Sequence, residues 1–254
     1  LSGVRVADAA VVVVSAPAGV EVGTQQMWDV ANKHGLPRMV FVSKMDRENA
    51  DFERVVAELT ERFGRQCVPI TLPIGSEDGF SGVVNLMDPG SEVPEPLQAA
   101  AEAAREQLAE AVAEADDDLL TKYLEGEPLT AEELKKGLHA GTCAGTIVPV
   151  LAGASQSELG TQELMNAIVD YLPSPKDAPP ATGTAGSDNG EIELASDGSA
   201  RLAALVFKTT ADPFVGKLSY FRVYSGTLKS DSQIWNGAAG EGERVGQVFH
   251  VTGK

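Results

Sequence analysis

Cationic side chains are in short supply: 20 Lys and Arg stand against 37 Asp and Glu, a formal net charge of −17 over 254 residues. Such a surface repels phosphate backbones, which excludes a free, non-specific nucleic-acid-binding module. Cysteine is nearly missing too, and Cys67 and Cys143 have no partner at zinc spacing. Reduced, buried or half-buried thiols of a cytoplasmic protein are therefore expected, rather than a disulfide framework. His34, His139 and His250 lie far apart and read as surface or packing residues, so no metal site is expected. Long apolar runs are absent as well. The longest, residues 9–14, is far too short to span a membrane, and no charged-then-apolar segment opens the chain. Aromatics make up only 6%, yet a hydrophobic share of 43% suffices for a sizeable core in one to two domains.

What is present reads as α/β. The unbroken Val run in residues 9–15 suits a parallel strand covered on both faces. Residues 22–34 form a helical pattern stopped by Gly35 and Pro37, and 38–43 returns as a strand, giving a β-α-β unit. The next helix, 49–62, carries Phe52, Val55, Val56, Leu59 and Phe63 as a core stripe. From 68 to about 146 the pattern changes to short strands, 69–74 and 82–86, followed by Ala-rich helical sequence, and is read as an α+β insert. Leu97, Ala101, Ala104, Leu108, Val112, Ala115 and Leu119 make one stripe on a helix starting near Pro96. Thr130 and Glu133 stand at capping-box spacing at the head of a helix over 130–138. The acidic clusters at Glu77-Asp78 and 114–118 are expected to be solvated faces and helix ends. Residues 146–151 resume the sheet, and 161–171 is a closing helix ended by Pro173 and Pro175. Residues 176–199, rich in Gly, Pro, Ser and Asp, read as a flexible linker. Short β-type runs follow at 202–207, 216–224, 233–236 and 244–251.

The strand at 38–43 stops at Lys44-Met45-Asp46. An Asp carboxylate just past the end of a buried parallel strand can accept both N–H groups on the pairing edge of guanine, while a Lys stem lies along the ring. Adenine offers no such donor pair, and two charge-assisted bonds of about 1.5–3 kcal/mol each can carry the discrimination. On its own, Lys-x-Asp is more often a turn whose Asp caps the next helix. Its place favours a ligand, because open α/β sheets bind beyond the carboxyl ends of their strands.

Context extends the argument. Asp8 to Ala18 (DAAVVVVSAPA), Gln25-Gln26-Met27-Trp28, Ala31-Asn32-Lys33, Leu36-Pro37-Arg38 and Lys44-Met45-Asp46-Arg47 form one series. It continues through Pro73-Ile74-Gly75, Phe80 to Val84, Thr121 to Gly126, Tyr171 to Pro175 and Thr210 to Gly216. Over almost its full length the chain resembles bacterial translation elongation factor G, a ribosome-dependent GTPase. The resemblance implies the C-terminal portion of a GTP-binding domain over 1–175, a linker over 176–199 and the start of a β-barrel second domain over 200–254. It implies guanine reading by Ser43, Lys44 and Asp46, and by a second loop, Gly153-Ala154-Ser155, in which a backbone N–H meets guanine O6. GTP or GDP with Mg²⁺, the ribosome as partner, and a docking role for the insert at the ribosomal stalk are implied in the same way.

Two parts of that family's pattern are missing. No Gly-Lys pair has a glycine five positions upstream or a following Ser or Thr, so no phosphate-cradling loop is present, and no Asp begins an Asp-x-x-Gly segment. With the resemblance in register by Asp8, an internal piece of a longer protein is expected, with no catalytic residue, no turnover and no retained nucleotide. Two departures concern base reading: Ser43 stands where the pattern has Asn, and Ala154-Ser155-Gln156 where it has Ser-Ala-Phe. They imply a divergent paralogue, with the intact parent hydrolysing GTP on the ribosome during translocation. The alternatives are a ribosome-docking or ribosome-protection factor with relaxed nucleotide dependence, and a release-factor relative.

Overall fold

The computed structural model describes residues 2–185, 190–212 and 216–250. The chain divides into two compact units, Ala7–Ser174 and Leu1–Val6 with Pro175–Lys254. The first runs β1 (Ala10–Ser15), α1 (Val22–Lys33), β2 (Arg38–Ser43), α2 (Phe52–Phe63), β3 (Cys67–Pro69), β4 (Thr71–Ile74), β5 (Gly82–Asn85), α3 (Gln98–Glu114), α4 (Asp117–Leu124), α5 (Ala131–Ala144), β6 (Val148–Ala152) and α6 (Thr161–Tyr171).

Strands β1, β2, β6 and β3 form a parallel sheet in that order. Every residue of β2 and β6 is buried, because alternate side chains enter two different cores. Val12, Val14, Val40, Val42 and Val150 meet Trp28 of α1 and Phe52, Val55 and Leu59 of α2. Met39, Phe41, Val68 and Leu151 meet Leu108 of α3, Leu138 of α5 and Ala167 and Tyr171 of α6. Burial of each large side chain contributes about 1.5–3 kcal/mol, so the two clusters hold the strand ends firmly.

Several sequence expectations change. Val13 is 62% exposed, so β1, at the end of the described sheet, is not covered on both faces. Helix α2 starts three residues later than periodicity suggests: Asn49 takes φ +64°, and the Asp51 carboxylate accepts the Arg54 N–H at 2.9 Å to cap the helix. The run at 69–74 splits, since β3 joins the parallel sheet while β4 turns away to pair with β5. The stripe from Leu97 to Leu119 is also broken. Asp116 ends the turn after α3 and accepts the N–H groups of Asp118 and Leu119, which starts a separate helix, α4. The Thr130–Glu133 capping box forms, but α5 runs on to Ala144. Lys122 of α4 ties to that box through Glu133 at 2.8 Å.

The second unit contains β7 (Ala181–Ala185), β8 (Gly190–Leu194), β9 (Ala203–Asp212), β10 (Gly216–Ser225), β11 (Gln233–Asn236) and β12 (Glu241–Arg244) as antiparallel pairs β7–β8, β9–β10 and β11–β12. The stretch 176–199, expected to be a flexible linker, holds β7 and β8. The correction has a simple cause: ladder bonds are made by the backbone, and Glu191-Ile192-Glu193-Leu194 alternates with period two despite its low hydrophobicity. The expected strand at 244–251 is replaced by β12, and 245–250 is irregular. Val251, and Pro213 to Val215 of the 210–216 motif, lie outside the described residues. Among the described residues the pairs share no further ladder, so the expected partial barrel is seen only as these pairs. No helix among the described residues is long and apolar enough to cross a membrane.

Candidate functional site

At the carboxyl end of β2 the chain passes from a buried Ser43 into a left-handed residue, Lys44, at φ +64°. A non-glycine residue there is uncommon and needs support from its surroundings. Met45 supplies it: its side chain is 1% exposed, its N–H donates to Gly153 O at 3.2 Å, and its carbonyl accepts the Glu77 N–H at 2.8 Å. The consequence is a side chain sorted at each step, with Lys44 in solvent, Met45 in the core and Asp46 half-buried at the rim. Asp46 accepts no hydrogen bond among the described residues, and its carboxylate has one ion pair, with Arg47 Nε at 4.0 Å.

The second loop leaves the adjacent strand, β6. Gly153 N–H donates to Val42 O at 2.9 Å, and a Cβ at Gly153 would stand 2.6 Å from Phe41 Cζ and 2.8 Å from Leu159 O. Only glycine allows this close approach. Ala154 is fully buried with its N–H given to Leu159 O at 2.8 Å, whereas the exposed Ser155 has no backbone acceptor for its N–H among the described residues. Ser155 Oγ lies 3.4 Å from Ser43 Oγ, and Arg47 Nη2 donates to Gln156 Oε1. The fold thus brings Ser43, Lys44 and Asp46 together with Gly153, Ala154 and Ser155. Of the three N–H groups at Gly153, Ala154 and Ser155, the first two are taken and the one at Ser155 has no acceptor among the described residues.

Sequence reasoning overlooked three supports. Glu77, taken for a solvated acid, braces the first loop: besides its N–H bond to Met45, its carboxylate accepts the Asn49 N–H at 2.7 Å. Nothing local signals a contact spanning 28 residues. Next, Ala16 N–H donates to Ser43 O at 2.8 Å, which joins the loop after β1 to the site. Arg54 of α2 clasps that loop, donating to Ala16 O at 2.7 Å, to Pro17 O at 3.0 Å and to Glu58 at 2.7 Å. Glu58 in turn accepts the Val20 N–H at 2.8 Å. That backbone bond, with Arg54 assisting and burial opposing, holds the Glu58 carboxyl below its ordinary range. The third support is the Arg47–Gln156 link.

The thiols take no part. Cys67 is fully buried, and burial pushes it up to about 12 against the opposing charge of Arg38. Cys143 is half-buried, 3.7 Å from His139 Nε2. Among the described residues no group of three or more His, Cys, Asp or Glu is placed to hold a metal ion.

The arrangement has an acceptor pair at Asp46, an open N–H donor at Ser155 and an aliphatic stem at Lys44. Chemically it suits a planar edge that offers two N–H donors and a carbonyl oxygen.

Residues 1–174 match the family model of the elongation factor Tu GTP binding domain, and residues 201–254 that of elongation factor G domain 2. A crystal structure of a protein from Thermus thermophilus is similar at 32% identity and a TM-score of 0.77, covering 96% of this chain and 35% of that one. This chain therefore spans about a third of that protein's length.

Proposed function

Because the chain belongs to the translational GTPases of elongation factor G type, we propose that the loops after β2 and β6 read the guanine base of GTP and GDP. In this reading Asp46 accepts from the pairing-edge N–H groups, the Lys44 stem lies along the ring, and the Ser155 N–H donates to O6. Gly153 and Ala154 set the backbone that aims it, and Ser43 braces the two loops in place of a longer amide. The observation that carries the proposal is an Asp46 carboxylate that accepts no hydrogen bond, and a Ser155 N–H that has no acceptor, among the described residues, on loops stitched together by Met45 and Gly153.

The bound nucleotide supplies the phosphate chemistry of the reaction, namely hydrolysis on the ribosome during elongation. The residues of this chain contribute base selection, and its 254 residues include no Gly-rich loop ending in Gly-Lys-Ser/Thr to cradle the phosphates. Two charge-assisted bonds of about 1.5–3 kcal/mol each are set against an association cost of at least about 4 kcal/mol, which leaves at most about 2 kcal/mol, so binding by this chain is expected no tighter than tens of millimolar.

Backbone chemical shifts should be followed while GMP, IMP, XMP and AMP are titrated to tens of millimolar, the range set by that affinity, with Asp46→Asn alongside. The expected result is movement of Met45, Asp46 and Ser155 with GMP ahead of IMP and AMP, and loss of that order in the variant. Equal response to all four nucleotides would refute base reading. It would favour the second reading, a ribosome-docking or protection factor, which the departure at Ser43 supports.

A further inference from the structure

The two loops are stitched at their roots by backbone bonds at Met45 and Gly153, but the groups that would meet a base, Asp46 and Ser155, lie one to two residues further out. At that outer level a charge-assisted side-chain link crosses the gap. Arg47 follows Asp46, Gln156 follows Ser155, and the Arg47 guanidinium donates to Gln156 Oε1 while keeping its Nε 4.0 Å from Asp46 Oδ1. The partners are 109 residues apart and both exposed, so no core packing requires them. Exposed polar links contribute little to global stability, because ordering two long side chains offsets most of the gain. Here the link lies beyond the backbone bond between Met45 and Gly153. It also stands beside a carboxylate whose direction would decide what is bound.

We propose that Arg47 and Gln156 form a latch that sets the distance between the Asp46 carboxylate and the Ser155 N–H, which makes both of them positioning residues for base selection. The inference rests on the base-reading role proposed above. Chemistry supports it on both sides: Arg47 can donate to Gln156 and to Asp46 from one planar group, and the Gln156 amide is a good acceptor. The Ser43–Ser155 hydroxyl contact, at 3.4 Å between neutral groups, is at the outer limit of a hydrogen bond, leaving the charge-assisted latch as the main outer tie.

The test uses the full chain and four forms: wild type, Arg47→Gln, Gln156→Arg, and the double exchange, which reverses donor and acceptor but keeps the bond. Two readouts are taken, the preference for GMP over IMP, which lacks the exocyclic amine, and the hydrogen-exchange rate of the Met45 N–H. Each single change should lower the preference about three- to tenfold and speed exchange by a similar factor, and the double exchange should restore both. Single variants that keep wild-type preference and exchange, or a double exchange no better than the two singles combined, overturn the latch. If wild type itself shows no GMP preference, the base-reading role has failed. Exchange at Met45 then still decides the latch, rescue by the double exchange supporting it and failure of rescue overturning it.

Discussion

Arg54→Met would remove the guanidinium by which α2 clasps the loop after β1 while keeping an apolar stem. The guanidinium donates to Ala16 O at 2.7 Å and Pro17 O at 3.0 Å, and pairs with Glu58 at 2.7 Å. A buried hydrogen bond to a charged group contributes about 1.5–3 kcal/mol. The Arg54 side chain is 38% exposed, so solvent screening reduces each carbonyl bond to about 1 kcal/mol and leaves the ion pair a few tenths at most. The sum, about 2 kcal/mol, corresponds to roughly thirtyfold in the local opening equilibrium. Hydrogen exchange read residue by residue is the suitable assay, because the two compact units need not unfold together. The Ala16 N–H, which bonds to Ser43 O, and the Val20 N–H, which bonds to Glu58, should exchange about thirty times faster. The Leu86 N–H, bonded to Ile70 O in another part of the unit, should be unchanged. Acceleration below about threefold at Ala16 and Val20, or equal acceleration at Leu86, would refute the argument that Arg54 holds this loop locally.

Three further expectations follow from named contacts. Glu58 has a folded carboxyl below its ordinary value of 4.5, so its contribution is present above that value and is lost as pH falls through the lower folded one; Val20 exchange, corrected for intrinsic rates, should rise over that acid range in wild type and not in Glu58→Gln. Gly153→Ala places a methyl 2.6 Å from Phe41 Cζ and 2.8 Å from a carbonyl, and should cost about 1–3 kcal/mol of stability by thermal unfolding while shifting the amide resonances of the second loop. At pH about 8 an iodoacetamide probe should label Cys143 in the native chain and spare Cys67, which is buried and pushed up to about 12; labelling of both at similar rates would contradict the buried-thiol account.

Helix α6 shows where the sequence suffices, since its bounds agree with the range expected ahead of Pro173 and Pro175. Capping chemistry worked equally well at Thr130. At 114–118 the acidic run was expected as solvated faces and helix ends, but the stripe was carried through it, and the Asp116 carboxylate that caps a separate helix was not singled out. Strand β1 shows the opposite case: an all-valine run carries no period, so composition could not say which residues would be left open, and Val13 lies outside the core. The β7–β8 pair was hidden because its stability lies in a backbone ladder rather than in apolar content.

By itself the sequence determined the α/β class, the strand that ends in Lys44-Met45-Asp46 and the family resemblance, because apolar period, caps and short motifs are local properties of the chain. Tertiary structure alone decided which groups meet at the site. Ser43 and Ser155 are separated by 112 residues, Arg47 and Gln156 by 109, and Arg54 and Ala16 by 38. Contacts of that range depend on β6 lying beside β2 in the sheet and on α2 packing against one of its faces. No residue-by-residue pattern encodes that register, because it comes from the joint burial of two cores.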